Sequence, residues 1–213
     1  MPVETLLLAT RSGGKLHELG PLIEAAGFRA ASLDGCGIAP SFEEESIEAF
    51  GTFEENARAK ANYFRARATG YPDIAVLADD SGLAVDALGG APGVRSKRWA
   101  MHTPHASEGL TLDEANNRAL LDALAGATDR RAKYVCVAAI AWEGGDVRAR
   151  GECTGRVLLR ARGAGGFGYD PLFLSDELGV TFAEATREEK ARVSHRARAV
   201  RAVLAQFALR ASR

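Results

Sequence analysis

The chain has 213 residues, 46% hydrophobic and 26% charged, an ordinary balance that can bury a sizeable core in one α/β domain or two small lobes. A net charge of −1 and a pI near 6.4 exclude an overall basic field that would recruit nucleic acid or an anionic membrane. The longest apolar stretches, such as 6–9 and 135–142, are too short to span a bilayer.

At the N-terminus Glu4 is acidic and no basic region precedes a long apolar run, so no signal peptide is expected. Cys36, Cys136 and Cys153 form no CxxC pair and are odd in number, which suits reduced thiols and a cytoplasmic setting. Residues 4–9 read as a short buried strand. TRSGGK follows, then a helix to about Gly27 with Leu16, Leu19, Leu22, Ile23 and Ala26 on one face and Gly27 fitting its C-cap. Residues 28–33 suit the next strand, and 34–51 read as a loop rich in Gly and Glu. Thr52 with Glu55 matches a capping box that opens a helix through about Thr69.

The apolar run 74–78, bounded by Pro72 and Asp79, predicts a buried strand, and LAVDAL after Gly82 is expected to pair back onto it. GGAPG at 89–93 is irregular, and 94–109 reads as a mobile loop. Thr111 with Glu114 opens a helix to about Ala125. Two apolar runs flanking Glu143-Gly144-Gly145 signal a hairpin, and Thr186 with Glu189 leads into a helical C-terminus. No repeat or linker interrupts the chain, so residues 1–213 read as one domain.

Five segments carry chemistry. In TRSGGK (Thr10, Arg11, Ser12, Gly13, Gly14, Lys15), a turn with two glycines ahead of a helix offers N–H groups and a dipole to an anion, and Lys15 adds a point charge. An ordinary βα loop uses glycine too. Only five of the 27 basic residues are lysine, so a lysine is mildly informative in a chain that otherwise uses Arg. The acidic segment 41–48 can bind a hard cation, although a glutamate run is usually a solvated loop. On the helix that follows, Asn56 and Lys60 share a face.

LADDSGLAVDALGGAPG (77–93) puts Asp79 and Asp80 at the end of an apolar run, where adjacent carboxylates are costly unless a metal or cations compensate. Strand alternation allows one of the two to face a site directly, as metal ligand or base for water, and the competing reading is a turn-forming pair. In GAGGFGYDPLF (163–173), glycines permit close approach while Phe167 and Tyr169 can stack on a planar base, or belong to a core. In TREEKARVSHR (186–196), Ser194 can N-cap a last helix, leaving His195 and Arg196 in its first turn; a continuous helix from 187 competes. His102 and His105 lack a zinc spacing.

Taken together and in order, LATRSGGKLHEL, TFEENARAKA, ADDSGLAVDALGGAPG, GGFGYDPLF and TREEKARVSHR resemble the inosine triphosphate pyrophosphatase family, also described as dITP/XTP or non-canonical purine NTP pyrophosphatases. The resemblance runs from about Leu6 to the last helix. It implies an α/β fold, a long mixed β-sheet with flanking helices forming two lobes around a central active-site cleft, and a homodimer. It implies Mg2+-dependent hydrolysis of ITP, dITP and XTP to the monophosphate and pyrophosphate, with no nucleic-acid or membrane partner. By the same match, Asp80 is the catalytic carboxylate, with Ser81 beside the substrate. Glu48 and Asp80 bind the metal, with Glu45 as the alternative to Glu48. The loop Thr10–Lys15 holds the triphosphate, and Phe167, Gly168, Tyr169, Asp170, Lys190, His195 and Arg196 contact the nucleotide. Ser12 stands where the family usually has Asn, and Arg11 where a small residue is common; both can donate to phosphate. A pyrophosphatase preferring modified pyrimidine nucleotides or dTTP, and a non-catalytic nucleotide sensor, are the rival readings.

Overall fold

The computed structural model describes residues 3–71, 73–102 and 109–211, apart from the side chains at 45 and 211. In chain order the elements are β1 (Thr5–Leu8), α1 (Gly13–Ala25), β2 (Arg29–Ser32), α2 (Phe53–Arg67), β3 (Ile74–Val85), α3 (Leu112–Ala123), β4 (Arg131–Trp142), β5 (Gly145–Val157), β6 (Phe173–Ser175), α4 (Arg187–Val193) and α5 (His195–Ala211). The strands form one mixed sheet in the order β2-β1-β3-β4-β5-β6, parallel from β2 through β1 to β3 and antiparallel between β5 and β6. The expected mixed α/β architecture is therefore present. Among the described residues no helix is long and apolar enough to cross a membrane.

Two compact units divide the chain: Met1–Asp80, Cys136–Gly151 and Arg196–Arg213 in the first, Ser81–Val135 and Glu152–His195 in the second. The chain passes between them inside β3, β4 and β5 and again at the start of α5, so neither unit is a contiguous segment.

In the first unit β1 sits between β2 and β3, with Thr5 opposite both Arg29 and Ile74. Leu19 and Ile23 of α1 and Val200, Val203, Leu204 and Phe207 of α5 join Leu6, Leu8, Leu77 and Ile140 in one core. Phe207 meets the rings of Trp142 and Phe28, centroids 5.1 and 5.6 Å away. Burying a side chain of this size contributes about 1.5–3 kcal/mol. α1 ends at Ala25 with Ala26 as its C-cap, and Gly27 follows at φ 85°, one residue beyond the expected cap, donating its N–H to the Glu24 carbonyl. The stretch 34–51 is more ordered than its composition suggests. Ser41 and Glu44 form a reciprocal capping box on a 3-10 helix over Phe42–Ser46.

The second unit packs Tyr134, Phe173 and Phe182 ring against ring over Leu83, Leu120 and Leu124. Residues 83–85 do not fold back on the preceding run; they continue β3. The physical reason lies at Gly82, where a Cβ would stand 2.2 Å from the Gly93 carbonyl oxygen and 2.5 Å from Ser96 Oγ. Ser96 Oγ accepts the Leu83 N–H at 2.8 Å and donates to the Gly93 carbonyl at 2.7 Å. Asp-Asp-Ser-Gly is thus a strand with a segment laid against it, not a turn. That segment is a pair of short 3-10 turns over Gly93–His102, kinked at Arg98 (φ −127°, ψ 26°), which replaces the first part of the expected loop; 103–108, with His105, lie outside the described residues. The side chain of Asn116 on α3 holds it, accepting the Ala100 N–H at 2.8 Å and donating to the Lys97 carbonyl at 3.0 Å.

Candidate active site

In the first unit β1 runs into α1 through the Thr10–Lys15 segment. Ser12, in extended conformation, caps α1 by accepting the Lys15 N–H at 3.4 Å. Gly13 and Gly14 form the first turn, where N–H groups lack intrahelical acceptors. Lys15 Nζ reaches across to β3, 2.9 Å from Asp79 Oδ2 and 3.0 Å from Oδ1. Arg196 Nε, in the first turn of α5, donates to the same carboxylate at 3.1 Å, and its Nη1 pairs with Glu18. From α2, Asn56 Nδ2 donates to Asp80 Oδ2 at 2.9 Å, while Lys60 donates to the Asp79 carbonyl at 3.0 Å and pairs with Glu48. The shared helix face of Asn56 and Lys60 is what lets one helix address both aspartates.

The two aspartates lie in opposite electrostatic settings. Burial alone would raise Asp79, but the charges of Lys15, Arg196 and Lys60 overrule it and hold the carboxyl well below the ordinary range. Burial pushes Asp80 up, the charge of Glu48 pushes further, and the Asn56 amide only partly opposes them, leaving it at about 6. Lys15 is lowered, chiefly by burial. For Lys60 burial works downward, but Glu48 and Asp79 outweigh it and the ammonium is raised. Asp79 is therefore a compensated structural anion, and Asp80 with Glu48 is a like-charged pair that a cation would relieve.

Among the described residues no cluster of three or more His, Cys, Asp or Glu side chains forms a metal cage. A Mg2+ site does not require one, since that ion commonly uses one or two carboxylates with substrate phosphates and waters. The donor set of Glu48 and Asp80 suits it, with the Lys60–Glu48 contact to be shared or displaced.

The second unit gathers the other expected residues. Asp170 is buried, with Lys190 Nζ 2.6 Å and the Phe167 N–H 2.9 Å from its Oδ2, and Tyr134 Oη donates to its Oδ1 at 3.4 Å. At Gly166, φ 73°, a Cβ would lie 2.2 Å from Asp170 Oδ2, so the loop closes tightly over that carboxylate. The Lys190 ammonium stands 4.9 Å from the centroid of the Phe167 ring. His195 is buried and stacks on Tyr134 at 4.5 Å with the rings 6° apart. Ser194 is extended (φ −65°, ψ 148°) and separates α4 from α5, so the break at Ser194 prevails over a continuous helix.

For Tyr169 the structure takes the core alternative, and Arg11 is held by acidic partners. Tyr169 is a core residue whose hydroxyl donates to the Ser96 carbonyl at 2.9 Å. Arg11 directs its guanidinium to Glu44 at 2.9 and 2.7 Å, Asp34 at 3.0 Å and the Ile38 carbonyl at 3.0 Å. Ser81 follows Asp80 in β3, half-buried, and Thr10 is buried with its Oγ1 accepting the Ser12 N–H at 3.2 Å. Tyr134 and Cys136, which lies 3.9 Å from Asp79, fall outside every motif, and Glu18 lies within the first motif but was not singled out as a site residue. They come from elements distant in sequence, and only pairing in space connects them.

The model of the Ham1 family matches residues 6–206. A dITP/XTP pyrophosphatase from Syntrophobacter fumaroxidans is 45% identical over 95% of this chain and 81% of its own length. One from an Exiguobacterium species is also 45% identical, over 95% and 96% respectively. The solved Staphylococcus aureus Ham1 protein superposes with a TM-score of 0.76 at 31% identity, covering 97% of this chain and 99% of that one.

Proposed function

Because the chain belongs to the Ham1 family, we propose that it hydrolyses non-canonical purine nucleoside triphosphates such as ITP, dITP and XTP to the monophosphate and pyrophosphate. The observation that supports this most is the contrast within one strand. Asp79 is neutralised by Lys15 and Arg196, and Asp80 is set beside Glu48 and held high. A nucleotide-binding protein without chemistry has no use for that second, strained carboxylate.

In this reading Glu48 and Asp80 hold Mg2+, which when bound screens the triphosphate. Lys15 and the first-turn N–H groups of α1 bind phosphate oxygens, with Asp79 orienting Lys15 rather than touching substrate. Water forms a bond to the α-phosphorus, the bond to the bridging oxygen breaks, and pyrophosphate leaves with that electron pair. Asp80 would either accept the water's proton or only hold the metal, in which case that proton passes to solvent; both roles need its charge. Phe167 offers a ring face to the base, and Lys190, Asp170 and His195 offer polar groups. Residues 1–213 act as one functional domain, since three strands are split between the units. A homodimer in the cytoplasm completes the reading. It rests on the resemblance and on three free cysteines, and light scattering on the purified chain checks the dimer.

Pyrophosphate release from a panel of nucleotides, with and without Mg2+, tests the proposal. Release from ITP and XTP that stops with EDTA supports it. Preference for dTTP or modified pyrimidines, or binding with no turnover, would replace it by one of the rival readings.

A further inference from the structure

Gly168 stands in the middle of the proposed base-contacting loop, at φ 62°, and both of its backbone polar groups are held by one helix. Its N–H donates to Asp113 Oδ2 at 2.7 Å and its carbonyl accepts from Asn117 Nδ2 at 2.9 Å. Asp113 and Asn117 are one turn apart on α3, so their side chains project from the same face and grip one peptide residue from both sides. A left-handed glycine is the most conformationally permissive position in such a loop, and holding its donor and acceptor together removes that freedom.

The rest of the loop is tied down around this point. Asp170 is fastened to Lys190 and to the Phe167 N–H, and the Tyr169 hydroxyl to Ser96. Ser96 belongs to the 3-10 segment whose far end is capped by Asn116, the residue beside Asn117 on α3. The helix thus grips both the loop and the segment that anchors the loop. Phe167 lies between Gly166 and Gly168, two left-handed glycines, and without these ties its ring orientation would be poorly fixed.

We infer that Asp113 and Asn117 are positioning residues for base recognition, fixing the Phe167–Asp170 loop through Gly168 without touching the nucleotide. This rests on the reading of that loop as the base site. Loosening the grip therefore weakens and blurs base binding while leaving the phosphate chemistry of Asp80 intact.

The test measures kcat and KM for ITP and ATP in Asn117→Leu, which keeps bulk but has no donor, in Asp113→Ala and in Asp113→Asn, which retains an acceptor oxygen. Phe167→Ala is measured alongside. Loss of one such hydrogen bond is expected to raise KM for ITP about three- to tenfold, with kcat within about twofold, and to narrow the ITP-over-ATP preference. Asp113→Asn recovers most of the KM. Asp113 is exposed in the first turn of α3, so its alanine variant leaves no buried cavity and carries the test if Asn117→Leu does not fold. Unchanged KM and preference in the clamp variants, with Phe167→Ala altering both, overturns the inference and leaves the base reading standing. A kcat loss equal for both nucleotides with KM intact overturns it as well. If Phe167→Ala itself leaves the preference unchanged, the base reading fails and the inference with it.

Discussion

At Asp79 burial is outweighed by Lys15 and Arg196, whereas at Asp80 it adds to repulsion from Glu48, so adjacent carboxylates of one strand titrate in opposite directions. Asp80→Asn keeps shape and removes charge. Its kcat is expected to fall by at least about 10²–10⁴, the range of a general acid–base contribution, with nucleotide binding retained. The same variant has a stability signature in EDTA. A carboxyl raised from 3.8 to about 6 costs nothing while neutral in both states, and its penalty grows as pH rises from about 4 through 6. At pH 8 the penalty is on the order of 3 kcal/mol. Denaturant melts should therefore show Asp80→Asn more stable than the parent at pH 8, with the difference vanishing toward pH 4. A difference of the opposite sign, or one independent of pH, would refute the assigned environment. Lys15→Ala should weaken ITP more than IMP, by about 10-fold or more for a charged contact, read by calorimetry. Equal loss for both would make Lys15 only the partner of Asp79. Lys15→Arg should rescue partly, because a planar fork can meet Asp79 but cannot reproduce the position of a compact ammonium beside a tight glycine loop.

At the scale of elements, capping chemistry was the most legible feature. Thr52, Thr111 and Thr186 each accept the N–H three residues on and open α2, α3 and α4 where the sequence places them, with the full reciprocal box at Thr111 and Thr186. The break at Ser194 was legible as an alternative because a serine in extended conformation is a natural N-cap. What failed was the punctuation around Gly82 and Gly93. Gly and Asp there read as turn signals, yet they permit a 3-10 segment to lie against an unbroken strand, a long-range contact with no local period. Gly82→Ala should consequently lower stability by about 1–3 kcal/mol, since its Cβ meets backbone and Ser96. Gly20→Ala in α1 meets no atom within 4 Å outside its own helix and chain neighbours, and with Pro21 following it should shift stability by less than about 1 kcal/mol. Paired urea melts give both, and similar values for the two would contradict the packing account. The α3 grip on Gly168 was equally hidden, because nothing near Asp113 or Asn117 forecasts which loop they reach.

For the whole molecule, the family was legible because five motifs fall in order along one chain, and the site chemistry because the motifs carry its charged groups. Their pairing was not: Lys15 with Asp79, Arg196 with Glu18 and Lys190 with Asp170 join segments far apart in sequence. The substrate expected for this charged cluster is a purine nucleotide with a carbonyl at C6. Donors aimed at a 6-carbonyl are opposed by the 6-amino group of ATP, and sites built on such hydrogen bonds discriminate by about 10⁴–10⁵. Guanine shares the 6-carbonyl and must be refused at its 2-amino group, a weaker filter. The most direct measurement is steady-state kcat/KM for ITP, dITP, XTP, GTP and ATP with saturating Mg2+. The expected order places ITP, dITP and XTP together, well above GTP, with GTP above ATP. Turnover of ATP as efficient as that of ITP would contradict the account.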